Sequence, residues 1–404
     1  MAKNLLPLMS HHHDPYGVGL AYRFPVHHEV IRHRDEIDLL EISTEDYIVR
    51  ERRMFSDPNE QLLRDALATF PCVAHGLRLS IGTVAEPNQT YLGDTRRFIE
   101  EHGLNIFSEH LAFHSVDGHD LTMFLAMPFE EVSIQWLKQN YYAVRRAVGR
   151  PFALENVTYH FPIPQSSLSE ADFLRRLTEE TDCTLLLDVT NVFNNSHNHG
   201  YDPMEFFDRL PMERVSQMHL AGGHQLPNGK WEDSHSSPVM EPVWPIFEEA
   251  VKRATNARIV ILERDSKLDP FDSVMHDIRR AREIFYRHKP STPPVRESDL
   301  STKPEVAHTP DAIEFSQLRG FQRAMMARIT DADFRSEFQK NPTTACARVG
   351  LTDPAWVGRL SQCDRDCMDY FHESWEIFQK EDQEIAAEYK DREWSAWADQ
   401  LQQG

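Results

Sequence analysis

Cysteine is scarce in this 404-residue sequence: there are five, at positions 72, 183, 346, 363 and 367, and no Cys-x-x-Cys pair. An odd count without that spacing argues against both a disulfide framework and a thiolate zinc site, so the thiols are expected to be reduced and mostly buried. No apolar run reaches the roughly 18 residues that a bilayer-spanning helix requires. The N-terminus lacks the basic and apolar regions of a signal peptide, which makes the cytoplasm the expected compartment. Positive charge is also in deficit, with 43 Lys and Arg against 64 Asp and Glu, a net charge of −21. Such a chain repels phosphate backbones and anionic lipids, so neither nucleic acid nor membrane is an expected partner. The basic clusters Arg50 to Arg53 and Arg279 to Arg282 are short and mixed with acids, as solvated helix faces are. His11 to His13 read as a polar segment near a chain end.

Apolar material for a core is present: 40% of residues are hydrophobic and 10% aromatic, enough for one large domain and a smaller one. Between Val18 and Asp265 there are eight short apolar runs with strand character: VGLAYR, LLEIST, CVAHGLRLSI, IFSEHLAF, FALENV, TLLLDV, VSQMHLAG and RIVILERD. Segments with helical spacing, such as DTRRFIEEH (Asp94 to His102) and EADFLRRLTEET, separate most of them. Strands apolar along their whole length and alternating with helices predict a parallel sheet covered on both faces. Eight such units over about 250 residues predict an α/β TIM barrel, a (β/α)8 fold. An open doubly wound sheet is the rival, but no GxGxxG follows the first strand. The barrel domain is expected over residues 1–286. Residues 287–312 carry five prolines and read as a linker. From 313 to 404 the pattern is helical: Phe315, Leu318, Phe321, Met325 and Ile329 recur at spacings of three and four, with Trp375, Trp394 and Trp397 further on. This predicts a small all-α domain.

In a TIM barrel the chemistry lies at the C-terminal ends of the strands. There the third run holds His75, the fourth Glu109-His110, the fifth Glu155-Asn156 and the sixth Asp188, followed by Asn191. The seventh holds His219 with His224 just beyond, the eighth Glu263, and the loop after the seventh adds Asp233 and His235. A lone His or Asp at a strand end is more often a helix cap, a turn former or a satisfied polar group, and Glu263 alone could pair with Arg264 or Arg23. Convergence is the stronger signal, because so many carboxylates and imidazoles on one rim repel and desolvate one another unless cations hold them. Mixed nitrogen and oxygen donors suit non-haem iron, manganese or zinc, and Cys72 and Cys183 sit near strand beginnings, at the wrong end. Adjacent Glu155 and Asn156 point to opposite faces of a regular strand, so if both face metals the backbone must bend there. The stretch TLLLDVTNVFNNSHNHG (Thr184 to Gly200) reads as a buried strand delivering Asp188, then a loop over the rim from which His197 or His199 reaches metal or substrate. His199 is the candidate of the two, with His197 and Asn194 as loop structure.

The ordered series HGLRLSIG, SEHLAF, ALENV, LLLDVTNVFNNSHNHG, QMHLAGGH and ILERD, within residues 16–286, resembles the multinuclear non-haem iron-dependent oxidative enzymes. This MNIO family includes the oxidase subunit of methanobactin biosynthesis. The resemblance implies a TIM barrel that holds two or three iron ions, mixed ferrous and ferric. With dioxygen as co-substrate it would modify cysteine or another residue of a ribosomally made precursor peptide, usually beside a small partner protein. It further implies one iron on His75, His110 and Glu155, with Glu155 bridging to a second on Asp188, His219 and Glu263. Asn156, Asp233 and His235 would form a third site, Glu155, Asp188 and His199 would serve catalysis, and Asn191 and His224 would contact substrate. Three departures stand out: Glu109 where the family often has Asp, Thr190 where it often has Asn, and Ser237 in DSHSSPV where a second histidine is usual. The segment Phe315 to Leu351 looks like the opening helices of the family's partner proteins, which points to a fused partner that grips the peptide. Two other classes remain open: a zinc- or manganese-dependent hydrolase or sugar isomerase of related barrel type, and a non-catalytic binding module.

Overall fold

The structure, a computed structural model, describes residues 15–48, 57–291, 312–363, 365 and 368–376. His11 to His13, Arg50 to Arg53, Cys367, Trp394, Trp397 and most of the proline-rich segment lie outside the described residues. Among the described residues all eight expected barrel strands form, and four more accompany them. In chain order they are β1 (Gly17–Ala21), β2 (Leu40–Ser43), β3 (Cys72–Gly76), β4 (Phe107–His110), β5 (Phe113–Val116), β6 (His119–Leu125), β7 (Phe152–Glu155), β8 (Thr184–Asp188), β9 (Val215–Ala221), β10 (Gly223–Gln225), β11 (Trp231–Asp233) and β12 (Ile259–Glu263). Strands β1, β2, β3, β4, β7, β8, β9 and β12 close a parallel barrel, with β1 pairing β12. The fold is therefore the expected (β/α)8 barrel followed by helices.

The continuous apolar runs have their cause in burial on both faces: β1, β2, β3, β7 and β12 have no exposed residue. Ala21, Leu39, Val73, Ile259 and Ile261 pack together inside the sheet. Helices cover its outside and begin at ordinary caps. Asn88 Oδ1 accepts the N–H groups of Thr90 and Tyr91 at the start of Gln89–His102, and Ser169 Oγ accepts that of Asp172 at the start of Glu170–Glu180. Strand register brings the polar ends level. His110 lies opposite Glu155 and Asp188 opposite His219, the second pairing after a register shift at Leu185/Leu186.

Two short hairpins were not anticipated. Asp117 and Gly118 turn β5 into β6, and the turn containing Asn228 and Gly229 joins β10 to β11. The NNSHNHG stretch, expected as a loop, is helical: Val189–His199, capped by Asp188 and ended by Gly200 in the left-handed conformation.

By contacts the chain forms two compact units. One is the barrel. The other joins the described residues from 312 onward with 114–125, in the β5–β6 hairpin, and 163–165. Its helices are Ala312–Thr330, Ala332–Lys340, Pro342–Arg348 and Pro354–Gln362. Leu318, Phe321, Met325 and Ile329 are buried, as their spacing requires. Gly320 permits close approach, since a Cβ there would lie 2.8 Å from the Gly350 carbonyl oxygen.

Candidate metal centre

Glu155 ends β7 inside the barrel and divides its two oxygens between two groups. Oε2 faces His75 Nε2 at 3.4 Å and His110 Nε2 at 3.5 Å, while Oε1 faces His219 Nδ1 at 3.0 Å. Glu263, at the end of β12, instead turns a single oxygen to two histidines. Its Oε2 lies 2.9 Å from His219 Nδ1 and 3.7 Å from His235 Nε2, which is itself 2.9 Å from Asp233 Oδ2. The potential ligand atoms of His75, His110 and Glu155 fall within 4.8 Å of one another, as do those of Glu155, Asp188, His219 and Glu263. A third such group is Glu41, His75 and His219.

The electrostatics are those of a site that needs positive charge. Burial drives the Asp188 carboxyl well above the usual range, with Asp233, Glu155 and Glu263 adding repulsion. Burial works against a charged His219, but Glu263, Glu41 and Glu155 outweigh it and hold its pKa well above normal. His110 is likewise opposed by burial and raised to about 9 by Glu155 and Glu109. Among the described residues the buried atoms His75 Nε2, Glu155 Oε2, Asp188 Oδ2, His219 Nδ1 and Asp233 Oδ1 have no hydrogen-bond partner. Buried polar atoms left so are costly, and here they converge. The donor set fits more than one cation, and Glu155 belongs to both central groups.

The surrounding residues fix these donors. His75 Nδ1 is 2.9 Å from Ser108 Oγ. After β3 three successive backbone N–H groups are captured by carboxylates, Leu77 and Arg78 by Glu45 and Leu79 by Glu109. Tyr91 donates its hydroxyl to Glu45 at 2.6 Å, and the other oxygen of Glu109 accepts the His110 N–H at 2.7 Å. His235 stands at φ 48°, a left-handed conformation that is costly for such a residue, held by Asp233 on one ring nitrogen and Asp265 on the other.

Asn156, expected as a ligand, Asn191 and His224, expected as substrate contacts, and His199, expected in catalysis, make the following contacts. Asn156 accepts the Asp188 N–H at 2.9 Å and donates to the Asp188 carbonyl at 3.0 Å, so its amide clamps the neighbouring strand end. The stereochemical difficulty of two adjacent residues facing one centre thereby disappears. Asn191 is buried, donating to the Asn156 carbonyl at 3.1 Å and accepting from Thr158 Oγ1. His199 stacks on Tyr159 at 4.1 Å and directs Nε2 to the Tyr159 carbonyl, and burial lowers it to about 4. A neutral, tethered imidazole is a poor proton donor at neutral pH. His224 lies on β10, half exposed, with Glu232 3.4 Å away. Two other asparagines of TNVFNNSHNHG face neighbouring backbone, Asn195 bonding Val157 and Tyr159 and Asn198 bonding Trp231 twice, while Asn194 donates to Thr158 Oγ1. Glu41, Glu45 and Asp265 were missed. A carboxylate inside the apolar run LLEIS was the available signal for Glu41.

Residues 17–286 match the family model described as RiPP precursor modification enzyme MbnB/TglH/ChrH. A UPF0276 protein of Nitrosospira multiformis is 34% identical over 258 residues, covering 63% of this chain and 88% of the relative. A UPF0276 protein of Pseudomonas aeruginosa is 33% identical over 276 residues, covering 67% and 93%. Among solved structures, D-psicose 3-epimerase from Clostridium cellulolyticum H10 is similar with a TM-score of 0.43 and 11% identity, over 67% of this chain and 99% of that one. The chain belongs to the MbnB/TglH/ChrH family of RiPP precursor modification enzymes, the MNIO family whose motifs its strand ends carry.

Proposed function

We propose that this protein is an iron- and dioxygen-dependent oxidative enzyme that modifies a cysteine in a ribosomally made precursor peptide. The observation that supports it best is the division of Glu155 between the His75/His110 pair and the His219/Glu263 pair, an arrangement that suits two adjacent cations. His75, His110 and Glu155 would hold one iron, and Glu155, Asp188, His219 and Glu263 a second. Asp233 and His235 with Glu263 offer a third position. Iron bound there would supply the capacity to activate dioxygen and to accept electrons from the substrate.

The chain's own residues orient and enclose. Asn156 fixes the backbone of Asp188, and Ser108 turns His75 so that Nε2 faces Glu155. Glu45 and Glu109 hold the turn that follows β3. The ligand side chains of the two central positions are nearly all inaccessible to solvent, which strengthens every charge interaction there. The helical unit is proposed to receive the peptide in place of a separate partner protein.

The test is anaerobic reconstitution with iron, metal counting and Mössbauer spectroscopy, followed by oxygen uptake and mass analysis with short Cys-containing peptides encoded beside the gene. At least two irons per chain and a peptide mass change dependent on dioxygen are expected. One zinc, no iron and retained activity would overturn the proposal in favour of a hydrolase or isomerase.

A further inference from the structure

Four histidines of the centre turn one nitrogen toward its carboxylates and the other toward a partner, and those partners differ: behind His110 lies Glu109, 3.5 Å from Nδ1, its two oxygens already accepting the His110 and Leu79 backbone N–H groups. Behind His75 stands a neutral hydroxyl, Ser108. Behind His219 stands a carboxylate, with Nε2 2.9 Å from Glu41 Oε2 and both side chains buried. Among the described residues the ion pair of Glu41 is with His219 alone. Behind His235 stands Asp265, with Nδ1 3.1 Å from Oδ2, but Arg23 already binds the other oxygen of Asp265 at 2.5 and 3.0 Å, and Asp265 is 46% exposed.

Glu41 has no local reason to meet His219. It lies on β2, whose neighbours in the barrel are β1 and β3, while His219 lies on β9 between β8 and β12. The contact spans the barrel interior. As a stabilising device a buried ion pair is a weak choice, because desolvation offsets most of its attraction. As a device for orientation it is effective. A carboxylate on the far N–H of a ligand histidine fixes tautomer and ring angle and makes the near nitrogen a stronger donor. That near nitrogen, Nδ1, lies 3.0 Å from Glu155 and 2.9 Å from Glu263. The influence of the carboxylate grows in a low dielectric and shrinks when an arginine neutralises it.

We propose that Glu41 is the positioning residue of the centre: it holds His219 with Nδ1 turned to Glu155 and Glu263 and strengthens that metal position, whereas Asp265, neutralised by Arg23, does the same for His235 only weakly. The inference rests on the multi-metal part of the proposed function and is independent of the substrate.

Cobalt(II) is a suitable probe, because its visible spectrum reports coordination and its release to a chelator can be timed without any turnover. The full chain, metal-free, is compared with Glu41→Gln and Asp265→Asn. Glutamine keeps the shape and can still accept from Nε2–H, so a loss reports the charge. Wild type is expected to take up at least two cobalt ions. Glu41→Gln should keep its circular dichroism and one cobalt position, while affinity at the other falls about 10- to 100-fold with a changed spectrum. Asp265→Asn should lose only a few-fold, under about tenfold. A Glu41→Gln protein with wild-type stoichiometry, spectrum and release rate would overturn the inference alone, as would a larger loss in Asp265→Asn. A wild type that binds fewer than two ions would overturn the multi-metal reading together with it.

Discussion

The barrel and the helical unit place opposite kinds of residue in their interiors. In the barrel Glu41, Glu45, His75, Glu109, Glu155, Asp188, His219 and Glu263 are all buried. Among the described residues of 312–376 the one buried polar side chain is Gln322. Enclosing so many ionisable groups costs stability unless each finds a partner. The barrel tolerates this because a closed parallel sheet supplies a rigid rim with an apolar layer beneath it. The helical unit holds its fold with Leu318, Phe321, Met325 and Ile329, and among its described residues 312–376 no charged side chain is fully buried, Arg328 being half-buried against the Leu360 carbonyl.

The largest effect that would sharpen this contrast is at Glu155. Glu155→Ala is expected to abolish binding of both central metals and to lower activity by more than about 100-fold, beyond what loss of a supporting residue costs. The gain in melting temperature that bound metal gives the wild type should vanish, a difference of about 2.7 kcal/mol at a hundredfold excess over the dissociation constant. Asn156→Ala, by comparison, removes two hydrogen bonds to Asp188 and should cost roughly 1–3 kcal/mol while leaving metal bound. Calorimetry with and without metal, and metal analysis of both variants, check this. Normal metal content in folded Glu155→Ala would remove the bridging role.

What could be read in advance follows the same division. Strands buried on both faces leave continuous apolar runs, so β7 and β12 are visible as FALE and IVILE, and the polar residue ending each run is visible with them. Side-chain roles at that rim are less legible. Asn156, Asn191 and His199 carry donor atoms like those of the candidate ligands, and only the neighbouring carbonyls of Asp188, Asn156 and Tyr159 show where those atoms are engaged. Val189–His199 escaped as a helix because Asn, Ser and His have low helix propensity, and convergence with the other strand ends favoured a ligand role for Asp188 over the cap it also forms. Glu41 escaped because its partner comes from a strand 178 residues away. The Asp117-Gly118 and Asn228-Gly229 dipeptides were a readable hairpin signal that the count of eight strands passed over.

A second effect, on stability alone, concerns a buried acid that lies outside the metal groups. Glu170 is raised to about 8 by burial, although Tyr159, Asn195 and Tyr201 hydrogen-bond to it and act in the opposite sense. With an unfolded value of about 4.3, the folded chain keeps a proton that the unfolded chain has lost throughout the window from there to about 8. Folding stability should therefore fall as pH rises through that window and level off above it. Glu170→Gln should match the wild type near pH 4 and exceed it near pH 9, by on the order of 5 kcal/mol at most. Denaturant titrations at the two pH values decide it. Identical pH profiles would mean that Glu170 ionises freely and that the barrel's charge burden is confined to its metal rim.

The smallest effect belongs to the helical unit, and it tests whether the two regions are as separate in energy as they are in composition. Asp117, at the tip of the β5–β6 hairpin, accepts hydrogen bonds from Arg319 Nη2 at 2.7 Å and from Arg323 Nε. The two arginines stand one helical turn apart on Ala312–Thr330, so a single carboxylate meets both. All three side chains are at least one-third exposed, and such pairs contribute less than about 1 kcal/mol. The hydrogen bond from Arg323 is the main cause of a lowered Asp117 pKa. A lowered folded value means that the contribution is fully present above the unfolded pKa of about 3.9 and is lost as pH falls through the folded one. Asp117→Ala should therefore destabilise slightly at pH 7, not at all at pH 2, and less in 1 M salt, where charges are screened within about 3 Å. A double-mutant cycle with Arg323→Ala would isolate the pair. Cobalt uptake should not change. The hairpin leaves β4 only a few residues after His110, so a fall in metal affinity on Asp117→Ala would show that the grip of the helices on Asp117 is felt at the centre, and the contrast between a charged barrel and an inert helical scaffold would have to be abandoned.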